Sequence, residues 1–271
     1  MTATAISPTI LILAGKRDGR LDPLAEKAGV THKCRVPICG KPLLQWVLDD
    51  VNPAFPDGKV IISIHDPDVI ADLPGVIQLR EAGRLVLSKS RDGIVESVEA
   101  AISDAGGASA FPLLITTGDN VLVSADMLRE VHGAAMALGA GAVPVLAERE
   151  SILAAHPEAQ RRFYTFRDKA IANCNTYWIR DAASIRAAEA FRKGGQFIKA
   201  AGRIADAFGW INLIGFRFGI WTLDGAFSRI SKRLGVRIIP HLLADGAYAV
   251  DVDNQRTYDV AEFLLKKRKT T

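Results

Sequence analysis

Short apolar runs alternate along this chain with longer stretches in which apolar residues recur every three or four positions. A strand that is buried on both faces is continuously apolar, whereas a helix with one buried face shows the longer period. The pattern therefore predicts two kinds of element in alternation. The predicted strands span residues 9–13, 59–64, 84–87, 113–116, 142–146, 176–179, 236–240 and 248–252, and the predicted helices span 42–51, 94–105, 125–138 and 258–266.

Alternation of strands and helices is typical of a mostly parallel sheet that has helices on both faces. We therefore expect a Rossmann-like three-layer α/β/α fold built on a mostly parallel mixed sheet. Residues 182–234 interrupt the alternation, because they show mainly helical periodicity and contain no clear strand. We interpret 182–234 as a helical insertion or subdomain within a single domain that spans residues 1–271.

The composition is that of a globular protein without a membrane span. With 271 residues, 49% of them hydrophobic, the chain can bury the core of one large domain. The net charge is only +4 and the basic residues are dispersed, so we expect no nucleic-acid partner. The basic run at 266–269 is predicted to be a solvated tail. The most hydrophobic stretch, 208–223, is too short and too often interrupted for a transmembrane helix, which needs about 20 apolar residues.

Cysteine and histidine usage excludes several kinds of site. Three cysteines without a CxxC pair predict neither a disulfide framework nor a zinc site. The first residues lack the basic region and the apolar length of a signal peptide, so we expect a cytoplasmic protein. The five histidines share no spacing, and none is identified as a general base.

The first candidate site follows the first predicted strand. The apolar run 9–13 leads into the loop 14–20, which contains Gly15, Lys16 and Arg17. Glycine lets backbone N–H groups approach a ligand, and cations neutralise phosphate charge, so the loop favours a phosphorylated ligand. The loop matches neither the Walker pattern nor GxGxxG, which lowers the weight of P-loop and dinucleotide hypotheses.

The second candidate site is a set of carboxylates at predicted strand ends. Asp119 follows the strand 113–116. Asp253 directly follows the strand predicted at 248–252, and Asp251 sits two residues earlier on the same strand face. Ligands of open α/β sheets bind beyond the carboxyl ends of the strands, and carboxylates there can hold Mg²⁺ on nucleotide phosphates. The alternative is that Asp119 forms a turn and that the two later acids end a strand and cap a helix.

Taken in order and spacing, these segments resemble the MobA-like nucleotidyltransferases. The matching pieces are the strand with its LAG and basic loop, Lys33 before the GKPLL turn at 40–44, the strand ending in Asp119, and the late DVD element at 251–253. The resemblance covers roughly residues 8–180 and 236–265. It implies a fold of the nucleotide-diphospho-sugar transferase type and an enzyme that couples an NTP to a phosphorylated acceptor and releases pyrophosphate.

The resemblance also implies roles for individual residues. Arg17 and Lys33 would contact phosphate as catalytic cations, and Asp119 and Asp253 would be Mg²⁺ ligands, with Asp251 sharing or supporting their site. The substrate-binding residues that it implies are Leu13, Ala14, Gly15 and Lys16 in the loop, Gly93 and Ser97 beside the base and ribose, and Asn175 on the acceptor side.

The sequence departs from the family pattern at four positions. Lys16 stands where relatives prefer glycine, Gln255 replaces the usual proline, and Thr257 stands where an acid is expected. A further departure is Asn173, which replaces a small residue of the family pattern. Arg161 and Arg162 could meet an acceptor phosphate or could simply be solvated, since arginine makes bidentate contacts to phosphate.

The predicted function is transfer of NMP from an NTP, with CTP slightly favoured by the segment 93–97, to a phosphorylated small-molecule acceptor. One alternative is a glycosyltransferase that uses a nucleotide sugar, although such enzymes usually carry a D-x-D motif where this chain has a single acid, Asp119. Another is a nucleotide-binding regulator without turnover, which the altered loop at Lys16 favours. The helical segment 182–234 could build the acceptor pocket or a homodimer surface.

Overall fold

The computed structural model describes residues 6–16, 21–191 and 220–270. A mixed sheet forms the centre of the molecule, and a two-stranded antiparallel hairpin, β2–β3, lies outside it. The strands are β1 (Thr9–Leu13), β2 (Pro37–Ile38), β3 (Lys41–Pro42), β4 (Val60–Ile64), β5 (Leu85–Lys89), β6 (Leu113–Thr117), β7 (Ala142–Glu148), β8 (Tyr164–Thr165), β9 (Ala170–Ile179) and β10 (His241–Leu243).

The central sheet has the order β10-β7-β9-β6-β1-β4-β5, with β8 beside β9. Strand β9 runs antiparallel to β6, β7 and β8, and the remaining pairs are parallel. The α-helices are α1 (Pro23–Lys27), α2 (Leu43–Ala54), α3 (Pro74–Glu81), α4 (Ile94–Asp104), α5 (Ala125–Leu138), α6 (Arg149–Ala155), α7 (Leu223–Leu234) and α8 (Gln255–Thr270).

The two faces of the sheet bury different residues of the same strands. Ile10 and Ile12 of β1 belong to a large cluster with apolar residues of α2, α3, α5 and α8. Leu11 points to the other face, where it packs with Val98 and Ala101 of α4. Burial on both sides explains the continuous apolar run of β1. The predicted three-layer α/β/α fold with a mostly parallel mixed sheet is confirmed.

Two of the predicted strands are wrong. In the segment 236–240, Ile238 forms only an isolated bridge with Ala142, and the edge strand β10 begins afterwards. The segment 248–252 belongs to no strand. It starts in a 3₁₀ turn, Gly246–Ala249, because the Asp245 side chain accepts the Ala247 N–H at 2.9 Å. Asp251 and Asp253 therefore do not share a strand face, contrary to the prediction.

Two further predictions need correction. Pro42 belongs to β3, and α2 begins one residue later at Leu43. The basic run 266–269 lies in the last turns of α8 instead of a free tail. Its Arg268 donates to the Leu122 carbonyl, and the Lys269 ammonium lies 4.9 Å from the Trp46 ring centroid. A cation over an aromatic face is attracted by the ring quadrupole, so this end of α8 is held against the domain.

The described parts of the segment 182–234 are helical. They comprise the 3₁₀ helix Ala182–Phe191 and α7, while residues 192–219 lie outside the described residues. The helical insertion thus stays a prediction. Within the ranges that the structure describes, no helix has both the length and the apolar character needed to cross a bilayer.

Parallel strands bring their carboxyl ends to one edge of the sheet. Strands β1, β4, β5 and β6 are mutually parallel neighbours, so the loops that leave them share that edge. This edge is where ligands of open α/β sheets bind. The loops at this edge carry residues of the candidate site.

Candidate active site

Lys33 lies between two of the predicted metal ligands. Its Nζ is 2.5 Å from Asp119 Oδ2 and 2.8 Å from Asp253 Oδ1. Lys33 belongs to a single 3₁₀ turn, Lys33–Arg35, whereas Asp119 follows β6 and Asp253 precedes α8. Burial opposes the charge of Lys33, but the carboxylates of Asp119 and Asp253 outweigh it and hold the pKa of this ammonium above its ordinary value.

Asp251 completes a group of three carboxylates. One oxygen of each of Asp119, Asp251 and Asp253 lies within 4.8 Å of the others. Burial first, and then the charges of Asp253 and Asp119, raise the pKa of Asp251 to about 8. Crowded carboxylate oxygens are the donors that Mg²⁺ prefers, and a divalent cation would relieve their mutual repulsion. The donor set therefore fits Mg²⁺.

The start of α8 holds Asp253 in place. Asn254 accepts the Thr257 N–H at 3.2 Å, and Thr257 Oγ1 accepts the Asn254 N–H at 3.1 Å, which is a reciprocal capping box. The same Thr257 hydroxyl also accepts the Asp253 N–H at 2.9 Å. Thr257, at the position where an acid was expected, thus fixes the backbone of a candidate metal ligand.

Asn120 connects the loop of Asp119 with strand β9. Its buried amide donates to the Cys174 carbonyl at 3.0 Å and lies 3.4 Å from Thr176 Oγ1. The Val252 N–H donates to the Asp119 carbonyl at 3.2 Å, so the two carboxylate-bearing segments are also joined through their backbones. These contacts bring Asp119 and Asp251 to one place although they are far apart in the sequence.

Asn175 lies at an irregularity of β9. The pairing of β7 with β9 shifts register between Pro144 and Leu146, and Asn175 has a φ of 49°. The Asn175 side chain donates to Asp251 Oδ2 at 2.8 Å. Bulges commonly re-aim side chains at active sites. The residue predicted to bind the acceptor is thus in direct contact with the carboxylate group.

The loop after β1 is anchored to the neighbouring strands. The Ala14 N–H donates to the Ser63 carbonyl at 2.8 Å, and the Lys16 N–H donates to His65 Nδ1 at 3.0 Å. Ser90 Oγ lies 2.8 Å from the same ring nitrogen. An added Cβ at Gly15 would lie 2.9 Å from the Cβ and Oγ of Ser90, so close packing requires the glycine.

Two other residues predicted at this loop are Leu13 and Arg17. The Leu13 carbonyl accepts the Gly118 N–H at 2.9 Å, which joins the loop to the segment of Asp119. Arg17 lies outside the described residues.

Gly93 and Ser97 form the start of α4. Gly93 occupies the N-cap position, and Ser97 Oγ accepts the Arg91 N–H at 2.8 Å while it lies 2.8 Å from the Gly93 carbonyl. The Ser97 hydroxyl is therefore engaged with backbone groups of its own loop. In this arrangement it shapes the loop 91–93 beside the end of β5.

A cavity of about 500 Å³ opens beside the carboxylates, and we call it the arginine cavity. Asp251 and Asp253 line one side of it. The remaining lining residues are Gln160, Arg161, Arg162, Asn254, Arg256 and Thr257. The sequence indicates a possible phosphate contact for Arg161 and Arg162, whereas Arg256 carries no signal beyond its place shortly before the predicted helix 258–266.

Most residues that meet at the site were predicted from the sequence, whereas two residues that position them, Asn120 and His65, were not. The structure brings together Lys33, Asp119, Asp253 and Asn175, and it adds Asp251, which had been considered a supporting residue. His65 has no distinguishing spacing among the histidines, and its one sequence signal is its place directly after the predicted strand 59–64. The one signal for Asn120 is its place next to Asp119.

Comparisons with known proteins find a matching family model and structures with a similar fold. A family model described as "MobA-like NTP transferase domain" matches residues 10–186. The fold is similar to that of a hypothetical transferase from Thermus thermophilus, with a TM-score of 0.70 and 21% identity over 93% of this chain and 100% of that chain. None of the curated proteins compared with the chain matches it.

Two other solved structures share the fold at lower identity. One is a CMP:2-keto-3-deoxy-manno-octonic acid synthetase complexed with CTP, with a TM-score of 0.61 and 12% identity over 97% of this chain and 100% of that one. The other is a 4-diphosphocytidyl-2C-methyl-D-erythritol synthase from Anaerococcus prevotii, with a TM-score of 0.54 and 10% identity over 96% of this chain and 99% of that one. At these identities the likeness concerns the fold.

Proposed function

The chain belongs to the family of MobA-like NTP transferase domains, and from this premise we propose that it transfers NMP from an NTP to a phosphorylated small-molecule acceptor with the help of Mg²⁺. Family membership makes the protein a nucleotidyltransferase. What we propose beyond family membership is the identity of the nucleotide, of the acceptor and of the metal ion.

One observation carries the proposal. A lysine ammonium and three carboxylates meet at the carboxyl edge of the sheet, and the loop after β1 is joined to the segment of Asp119 through the hydrogen bond from Gly118 to Leu13. Phosphoryl-transfer sites need positive charge around the transferred group far more than they need a general base. The absence of a shared histidine spacing in the sequence is consistent with such chemistry.

Asp119, Asp251 and Asp253 would hold the metal. When bound, Mg²⁺ supplies positive charge to the phosphates of the nucleotide. Asn175 would orient the Asp251 carboxylate through the hydrogen bond that its side chain donates to it. Lys33 is within reach of phosphates held at this place, and its raised pKa keeps it cationic throughout the physiological range.

The reaction that we propose is an in-line displacement at the α-phosphorus. An oxygen of the acceptor phosphate forms a bond to the α-phosphorus while the bond between that phosphorus and its bridging oxygen to the β-phosphorus breaks. The bridging oxygen keeps the electron pair and leaves as part of pyrophosphate. Because the acceptor phosphate is already an anion at neutral pH, the step needs no proton abstraction.

The preference for CTP is part of the proposal. It is supported by the Gly93–Ser97 segment, which resembles pyrimidine-using relatives. Two proteins of the same fold are a CMP:2-keto-3-deoxy-manno-octonic acid synthetase complexed with CTP and a 4-diphosphocytidyl-2C-methyl-D-erythritol synthase. A nucleotide bound along the carboxyl edge would bring its base and ribose to the start of α4, beside β5.

A screen of the four NTPs tests the proposal. With Mg²⁺, a nucleotide at 100 times its Kd should stabilise the protein by about 2.7 kcal/mol, which a thermal-shift assay detects. We expect CTP to give the largest shift. Pyrophosphate release with a panel of phosphorylated acceptors then measures turnover, and Asp119→Asn should lower it about 100-fold or more while the fold is kept.

Two outcomes would point away from the proposal. Binding of an NTP with no product from any phosphorylated acceptor would favour the nucleotide-binding regulator. Stabilisation by a UDP- or GDP-sugar, but by no NTP, would favour the glycosyltransferase.

A further inference from the structure

The arginine cavity gathers positive charge beside the candidate metal ligands. Its arginines come from two places in the chain: Arg161 and Arg162 lie in the loop between α6 and β8, and Arg256 lies in the first turn of α8. Asp251 and Asp253 line the same cavity. A group bound by the arginines would therefore be next to any phosphate held at the carboxylates.

The three arginines do not have the same freedom to bind a ligand. Arg161 forms an ion pair with Glu158 at 2.8 Å, and this hydrogen bond and charge lower the pKa of Glu158. Arg256 donates one N–H to the Glu158 backbone carbonyl, which leaves most of its five donors for another partner. Arg162 makes no hydrogen bond or ion pair with any residue in the described part of the chain.

The order of the strands divides the site into two sides. The loop after β1 packs against His65 and Ser90 at the ends of β4 and β5, which is one side of the carboxylates. The arginine cavity is built from the loop before β8 and from the start of α8, and β8 pairs with β9 on the other side of β6. A nucleotide on the β1–β5 side would leave the arginine cavity for the second substrate.

We propose that Arg162 and Arg256 bind the phosphate of the acceptor in the arginine cavity and hold it beside the carboxylate group. This inference rests on the proposed function and specifies the acceptor as a phosphomonoester. Two guanidinium groups match the two negative charges of a phosphomonoester at neutral pH, and each can make bidentate contacts to it. A carboxylate acceptor would need only one of them.

Inorganic phosphate is the probe for this site. The full chain is first saturated with Mg²⁺ and the non-hydrolysable α,β-methylene analogue of the best-binding NTP, so that the nucleotide side is filled. Calorimetric titration with phosphate then reports on the remaining site. We expect Arg162→Gln and Arg256→Gln each to weaken phosphate binding at least tenfold and to leave the affinity for the analogue unchanged.

Matched variants separate this role from general effects of charge and folding. Arg80→Gln removes an equal charge from the exposed side of α3 and should leave phosphate binding unchanged. Arg161→Gln should change phosphate binding less than threefold because Arg161 is already paired. Arg256→Lys should recover only part of the affinity, since lysine lacks the bidentate geometry. Thermal unfolding checks that each variant is folded.

The possible results are distinct. Failure of the wild-type protein to bind phosphate, unchanged binding in both glutamine variants, or equally tight binding of acetate would overturn the inference. Failure to bind the NTP analogue would instead overturn the proposed function. Weakened phosphate binding with normal analogue binding supports both.

Discussion

The ammonium of Lys33 lies 2.5 Å from Asp119 Oδ2, so a cation attributed to phosphate binding is in contact with a carboxylate attributed to metal binding. The same ammonium lies 2.8 Å from Asp253. Lys33 therefore neutralises part of the charge that would otherwise attract a metal ion. This contact links metal affinity to the position of one lysine side chain.

We predict that Lys33→Met tightens metal binding and weakens catalysis. Without the lysine, the carboxylates carry more net negative charge, so Mn²⁺ measured by paramagnetic resonance should bind several-fold more tightly to the free protein. Turnover should fall about 100-fold, because a cation beside the phosphates is lost. Lys41→Met is the control, since Lys41 pairs with Asp49 at the same 2.5 Å. Weaker Mn²⁺ binding in Lys33→Met would contradict the prediction.

Asp251 should lower the stability of the metal-free protein. Its pKa is raised to about 8 in the folded state, against an ordinary value near 3.8, so the folded state binds its proton more tightly than the unfolded state does. This contribution to stability is present below pH 4 and is lost as pH rises to about 8. In EDTA, Asp251→Asn should therefore be more stable than the wild type at pH 8 by more than about 1 kcal/mol.

Urea unfolding at pH 5 and pH 8 measures this effect. The advantage of Asp251→Asn over the wild type should grow between the two pH values, and Mg²⁺ should stabilise the variant less than it stabilises the wild type. Asp126→Asn, at a side chain that is 93% exposed, is the control. An equal pH dependence in Asp251→Asn and in the wild type would show that Asp251 is not responsible.

The parts of the fold that could be predicted are those governed by local burial. Strand β1 and helix α5 have continuous or periodic apolar positions, and both occur where the sequence places them. The carboxylate ends of β6 and of the DVD element were also recognisable, because their motifs are local. The alternation of elements predicts where β6 ends. It does not predict how the DVD element reaches that end, because this element belongs to no strand and is joined to Asp119 by a backbone hydrogen bond from Val252.

The missed features depend on partners that are distant in the sequence. His65 contacts Lys16 across 49 positions, and Asn120 donates to the Cys174 carbonyl across 54 positions. The segment 248–252 looked like a strand because it is apolar, but Val252 gives its N–H to the Asp119 carbonyl instead of to a sheet partner. No local sequence pattern predicts which distant residue a side chain or a backbone N–H will contact.

His65 is predicted to position the loop after β1. Its Nδ1 accepts the Lys16 N–H, so His65→Ala should release the loop and raise the KM for the NTP about tenfold with a smaller effect on kcat. His65→Asn places an acceptor oxygen near the position of Nδ1 and should recover most of the loss. Steady-state kinetics with varied NTP check both variants. Equal KM values in His65→Ala and in the wild type would exclude the positioning role.

Gly15→Ala tests the packing of the same loop from the other side. The new methyl group would lie 2.9 Å from the Cβ and Oγ of Ser90, and the loop would have to move. We expect weaker NTP binding in Gly15→Ala, measured by calorimetry. Ser90→Gly should restore it in the double variant, because it removes both atoms that the methyl group meets. Failure of Ser90→Gly to restore binding would assign the loss to another cause.

His132 should make the protein sensitive to acid. It is buried in the core, where its Nδ1 accepts the Trp178 indole N–H at 3.1 Å, and burial lowers its pKa. A depressed pKa in the folded state means that its contribution to stability is complete above pH 6.5 and is lost as pH falls through the folded-state value. Protonation at Nδ1 would also set two donors against each other.

The free energy of unfolding should therefore fall below pH 6.5, by up to about 1.4 kcal/mol per pH unit for this group. His132→Asn keeps an acceptor for Trp178 but removes the titration, so its stability should depend less on pH. Burial and then the charge of Lys16 lower the pKa of His32 as well, so the double variant His32→Asn, His132→Asn should reduce the histidine part of the slope further. The variants are compared in an Asp251→Asn background, because Asp251 titrates in this range with the opposite effect on stability. Urea unfolding between pH 4.5 and 7.5 measures the three slopes. If the slope of His132→Asn equals that of the wild type, the acid sensitivity arises elsewhere than in the contact between His132 and Trp178.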